Sequence, residues 1–178
     1  TRRAHHDNRE LKEVFRFFST QSGVATNRFN PFPTFRGGNP SPIQLAQVVM
    51  DALNVNYGPG YGMGYYSAHN RKTITDVLHD HNPHSFREIN EILSAKSLRG
   101  ISDPKQIFEA FELVEAIRAL SYYDQLVTQP GDEETAPDVV HMDSVLENGQ
   151  VVYFHLASAF ESTTCHMIAN LAVFALYK

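Results

Sequence analysis

One cysteine, Cys165, stands in a chain of 178 residues, so no intramolecular disulfide can staple the fold. Such sparing use fits a reducing compartment. Cys165 falls on a predicted amphipathic helix with only His166 as a basic neighbour, which makes it a packing residue and not an activated thiol. An apolar leader is missing from the N-terminus, Thr1-Arg2-Arg3, and no secretory signal is expected. Long apolar runs are missing too. The longest, Met167 to Tyr177, is broken by Asn170 and falls short of the roughly 20 residues that a membrane span needs. The segment is therefore expected to be soluble and cytoplasmic, with no membrane contact of its own. An excess of positive charge is also lacking: 15 Lys and Arg against 20 Asp and Glu leave a net charge of −5. This argues against a surface that embraces nucleic acid on all sides, though a local basic patch remains compatible with it.

The motifs of several enzyme classes are equally missing. No GxxxxGK[ST] cradle, no dinucleotide fingerprint and no G-x-S-x-G elbow occurs in the chain. Gly58-Pro59-Gly60-Tyr61-Gly62-Met63-Gly64 is rich in glycine, but Pro59 removes a donor, no Lys closes the loop and the preceding segment reads as helix. A connection between two helices is the better reading.

What is present is mostly helical patterning. Leu11, Val14, Phe15 and Phe18 predict an amphipathic helix over 8–18, and Arg28 to Pro33 reads as an extended, proline-punctuated segment incompatible with helix. Ser41-Pro42-Ile43-Gln44 is a complete helix start: Ser41 at the N-cap, Pro42 at N1 and Gln44 closing the capping box. Leu45, Val48, Val49, Ala52 and Leu53 form its apolar face. Residues 56–66 read as a Gly/Tyr loop, 67–78 as helix and 79–84 as a polar turn. Ser85 to Glu88 is a second capping box, opening a helix that ends at Gly100. Asp103-Pro104 opens the longest helix, reaching about Val127 on a stripe of Ile107, Phe111, Val114, Ile117 and Leu120. Residues 129–137 read as an exposed acidic loop. Val139-Val140 and 151–156 are strand candidates, the latter apolar on both faces. Ser158 to Glu161 then offers a cap for a helix running to the C-terminus.

The expected fold class is mainly α with a minor α/β part: an all-α insertion on a fragment of a parallel-sheet domain. Three regions follow, a partial α/β segment over 1–66, a helical subdomain over 67–138 and a returning strand–helix over 139–178. The closing strand and helix are half of a βαβ unit, and the chain begins without an initiator Met. It is read as a piece of a larger protein. Leu45, Val48, Leu53, Ile74, Leu78, Phe111, Val114, Ile117, Val152, Phe154, Ile168 and Leu171 are expected to be buried.

Three clusters are candidates for chemistry. Tyr57, Tyr61, Tyr65 and Tyr66 lie near Arg71 and Lys72, and aromatics beside cations can stack and neutralise single-stranded nucleic acid or grip a partner. His79, Asp80, His81 and His84 form the densest group of ligand-type residues, but no Cys joins them and Glu88 serves as a cap, so a polar turn explains them better than a metal site. Glu109, Glu112 and Glu115 at spacing three read as a solvated helix face. No catalytic, cofactor-binding or metal-ligating residue is assigned.

The order of segments is similar to that of the type IV secretion coupling proteins, the conjugative DNA translocases related to the FtsK and HerA ATPases. The residues that carry the likeness are Phe29-Asn30-Pro31-Phe32, then Gly64-Tyr65-Tyr66-Ser67 leading to Asn70-Arg71, then Leu146 to Phe154 with its Gly149 and Val151-Val152-Tyr153-Phe154 strand. The resemblance implies a RecA-like core interrupted by an all-α insertion, with the chain lying between the two nucleotide motifs. It implies a hexameric parent anchored to the bacterial inner membrane that uses ATP and Mg, and a helical region that receives a relaxase–DNA substrate or its adaptors. The alternative is a stand-alone helical interaction module without catalysis; a hydrolase built on His79, His81 and His84 is the third reading.

Overall fold

A computed structural model describes residues 14–57, 62–99, 105, 109–127, 138–140, 142–147, 149–157 and 161–177. The expected features at 8–13, 100–104, 129–137 and 158–160, and residue Tyr61, lie outside these. The fold is mainly helical with one small parallel sheet, in the order β1 (Phe15–Ser19), α1 (Phe32–Arg36), α2 (Pro42–Ala52), α3 (Met63–His81), α4 (Phe86–Arg99), α5 (Phe111–Ser121), a 3-10 turn (Asp124–Leu126), α6 (Met142–Glu147), β2 (Val151–His155) and α7 (Ser162–Tyr177).

β1 and β2 are parallel neighbours, registered from Phe15 opposite Val151 to Ser19 opposite His155. This overturns the helix expected through Phe18. Phe15, Phe17 and Phe18 alternate across a pleat as readily as they recur along a helix, and β2 supplies the ladder that decides between the two. The sheet's inner face carries Phe18 and Phe154, whose ring centroids lie 5.3 Å apart, with Phe29 set edge-on to both at 6.2 and 5.6 Å. On the outer face Val151 is 56% exposed and Tyr153 53%, so β2 is covered on one side and open on the other. Of the second strand candidate, a single parallel bridge forms, Arg28 with Val139.

The extended reading of 28–33 holds only to Asn30. Phe32 and Pro33 open α1, because a proline in the first turn forfeits no helical hydrogen bond. Asn30 is buried and secures this start: its Oδ1 accepts from the Phe32 N–H at 3.1 Å, and its Nδ2 donates to the His84 carbonyl at 2.8 Å. α2 starts as expected, with Ser41 and Gln44 reciprocally bonded. α3 is longer than expected at both ends. Gly62 in the left-handed region starts it, and it continues to Asn82, also left-handed at φ 48°, so His79 and His81 occupy its last turn. At α4 the Ser85 hydroxyl accepts from the Glu88 N–H at 3.2 Å, while the Glu88 carboxylate takes the His84 N–H.

The expected longest helix is interrupted at Ala110, whose φ of −101° and ψ of 25° are not helical, and it ends at Ser121 instead of Val127. Its inward face is Ala110, Leu113, Val114, Ile117 and Leu120, all buried. Phe111 is 57% exposed, against expectation. A stripe chosen by bulk took Phe111, whereas the i, i+3, i+7 face passes through the small Ala110. Val48, Val152 and Phe154 are half-buried against the core; the other eight residues expected inside are buried. One contiguous core joins β1, α1–α7 and the 3-10 turn, with α2 against α3, α4 against α5, and α7 against α2, α5 and α6. No helix among the described residues is long and apolar enough to cross a membrane.

Candidate functional site

The tyrosine-rich region is built by short polar ties. The Ser67 hydroxyl accepts from the Tyr57 N–H at 2.8 Å and donates to the Tyr57 carbonyl at 3.0 Å, and buried Asn70 donates to the Val55 carbonyl at 2.9 Å. These ties hold the segment leaving α2 against the first turns of α3. Tyr57 and the N-terminal turns of α3 thereby face the start of α5. The Tyr57 hydroxyl donates to the Glu112 carboxylate, and the Tyr65 hydroxyl donates to Glu109. The His69 ring lies 4.3 Å from that of Tyr65, tilted by 51°, and its Nδ1 lies 3.1 Å from Glu109, close but off the hydrogen-bond line. Tyr66 sets its edge to Tyr65 at 5.5 Å and remains half-exposed.

Of the glutamates expected on a solvated face, Glu112 stays exposed and Glu115 partly so, while Glu109 is drawn in. Glu109 is 12% exposed and sits between Tyr65, His69 and Lys105. Burial, then the Glu112 hydrogen bond, pushes the Tyr57 phenol well above its ordinary value. For Tyr65 the Glu109 hydrogen bond is the main cause of an upward shift. Both tyrosines stay neutral donors at any physiological pH.

The six residues singled out for a nucleic-acid or partner contact are only partly brought together. Tyr57, Tyr65 and Tyr66 cluster around two carboxylates. Arg71 turns to α2, its Nη2 2.9 Å from the Gln47 Oε1, and Lys72 is exposed one turn beyond His69. The aromatic rims thus adjoin negative charge, which opposes a phosphate backbone.

Residues that sequence reasoning passed over complete the site. A cavity of about 760 Å³ lies between α5 and the first turns of α7, lined by Phe111, Glu112, Glu115, Ala116, Ala119 and His166 among others, with Leu53 to Val55 and Tyr57 also on its wall. A second, of about 350 Å³, adjoins it and shares Tyr57, Phe111 and Glu112. Exposed Phe111 stands between them. A bulky apolar residue directly after a stripe position was the available signal, but its bulk assigned it to the core.

Elsewhere, His79 Nδ1 bonds Asp80 at 2.9 Å, and that bond holds the Asp80 carboxyl below its usual range. No group of three or more His, Cys, Asp or Glu side chains among the described residues could hold a metal ion. At the carboxyl ends of the strands the Ser19 hydroxyl meets His155 Nδ1 at 3.1 Å, with Ser19 fully buried. Cys165 is buried with its Sγ 3.9 Å from the Thr20 hydroxyl.

No family model matches the chain, and comparison with curated proteins and with solved structures finds nothing similar.

Proposed function

We propose that this chain is the helical recognition region of a coupling-type ATPase that moves DNA or protein substrates through a type IV secretion system. In this reading it receives the relaxase–DNA substrate or an adaptor and takes no part in hydrolysis. The observation that carries the reading is the parallel pairing of β1 with β2, partners 136 residues apart in sequence. Parallel strands belong to sheets covered on both faces by helices, and they need long crossovers. Here the crossover is an assembly of helices, and apolar Phe15, Val151 and Tyr153 remain open on one sheet face, as expected where the rest of a RecA-like domain would pack. Phe29-Asn30-Pro31 and Ser67 to Asn70, which carry the likeness to coupling proteins, are the anchors that fasten α1 and α3 to their neighbours.

ATP and Mg belong to the parent in this reading, and the residues present do not fit them. Gly62 is spent on the left-handed start of α3, and no Lys follows to reach a phosphate. The chain by itself is therefore expected not to turn over ATP. Turnover that a substitution within it abolishes would overturn the reading. The decisive test is the parent reading frame: GxxxxGK[ST] is expected upstream, and an apolar run ending in Asp-Glu downstream. A hexameric parent at the bacterial inner membrane is the assembly to look for.

A stand-alone helical interaction module is the second reading. It is favoured by the continuity of one core through β1, all the helices and the 3-10 turn. A reading frame with neither nucleotide motif decides for it.

A further inference from the structure

The two joined cavities around Phe111 have a consistent chemistry. The larger lies between α5 and α7 and is lined in part by the small Ala116 and Ala119; the smaller lies between α3 and the start of α5. Their lining carries Glu109, Glu112 and Glu115 together with His166, and among the described residues neither Lys nor Arg lines either cavity. Glu115 is offset by Arg118 at 2.6 Å, and Glu109 by Lys105 at 3.7 Å. Glu112, at the junction of the cavities, accepts the Tyr57 hydroxyl hydrogen bond. Phe111 is exposed beside it.

We infer that this groove docks an amphipathic helical segment of a partner protein, its apolar face over Ala116, Ala119 and Phe111 and its Lys or Arg side chains toward Glu112. Three features select that occupant. Alanines on the floor let a helix approach closely, and the paired helical walls suit a helix in a groove better than an added strand. A volume of about 760 Å³ has room for several anchoring side chains. Three carboxylates along the two cavities attract cations and repel phosphates, so the partner surface is a basic protein segment and not a nucleic-acid strand. The inference rests on the reading of this chain as a recognition region and names the chemistry it would recognise.

The test uses the whole chain and a fluorescein-labelled Leu/Lys amphipathic peptide of about 18 residues, roughly five helical turns, followed by anisotropy. The comparison ligands are its Leu/Glu counterpart and single-stranded oligothymidylate. Binding of the Leu/Lys peptide is expected in the range of about 10 μM. Glu112→Lys should weaken it about tenfold, and Ala119→Phe, which fills the groove, should abolish it. Glu91→Lys, the same charge change on α4, should leave it unaltered. Thr163→Trp narrows the groove from its exposed rim and serves if Ala119→Phe does not fold by circular dichroism. Equal weakening by Glu91→Lys and Glu112→Lys would reduce the effect to net charge and overturn the groove. So would binding of the Leu/Glu peptide with equal strength, preference for oligothymidylate, or no binding. Each of these leaves the motor reading standing, because the nucleotide motifs of the parent decide that separately.

Discussion

Phe18 and Phe111 have the same side chain and opposite consequences. Phe18 is fully buried between Phe29 and Phe154, and its replacement by Ala should cost about 3–5 kcal/mol through lost burial and a residual cavity. Phe111 is 57% exposed, and Phe111→Ala should change stability by no more than about 0.5 kcal/mol. Urea midpoints of the two variants at constant slope check the contrast. Tyr123 offers a titration. Burial first, then the hydrogen bond its hydroxyl donates to Glu161 at 3.0 Å, pushes its pKa up to about 12. An unfolded tyrosine ionises near 10. The folded state therefore holds this proton more tightly, and the stabilisation is complete below about pH 10 and is lost as pH rises towards 12. Urea midpoints measured across that window should fall more steeply for the wild type than for Tyr123→Phe, which has no proton to lose.

Local chemistry acts independently of the core at the start of α2. The Ser41 hydroxyl accepts from the Gln44 N–H at 3.4 Å, and the Ser41 N–H donates to the Gln44 side chain at 2.9 Å. Ser41→Ala should cost about 1 kcal/mol, and Ser41→Gly only a few tenths, because glycine also suits an N-cap. Thermal unfolding of the pair measures the difference, and equal losses would mean that the side-chain bond contributes nothing. The end of α3 is set differently. Asn82 takes a left-handed backbone there, and Arg36 donates both to its side chain and to the Pro83 carbonyl, tying α1 to the α3–α4 turn. Nothing in the order of residues foretells that long-range tie, whereas the Ser-Pro-x-Gln cap is complete within four positions.

Besides the groove at Phe111, the described residues leave two further groups of apolar side chains uncovered. One is the outer sheet face with Phe15, Val151 and Tyr153; the other is the end of α7 with Val173, Phe174 and Tyr177, beside a cavity of about 390 Å³ that also reaches Val48. Such surfaces and an edge strand without Pro or Lys favour association. Light scattering should show a mass that rises with concentration, and Tyr153→Lys should lower it. A monodisperse monomer at high concentration would favour the stand-alone module.

Helix caps, the strand Val151–His155, the mainly helical class and most of the core were legible in the residue order, because each rests on contacts within about one turn or on simple alternation. Phe15 to Ser19 was not legible as a strand, since its pattern satisfies both periods and its partner lies far along the chain. The phase of α5 was misread because a small residue, Ala110, holds the inward position that bulk assigned to Phe111. The candidate site was hidden for the same reason. Glu109 looks solvated until α3 brings Tyr65 and His69 to it, Glu112 gains Tyr57 only through the segment that follows α2, and a groove between two helices exists only once α5 and α7 pack.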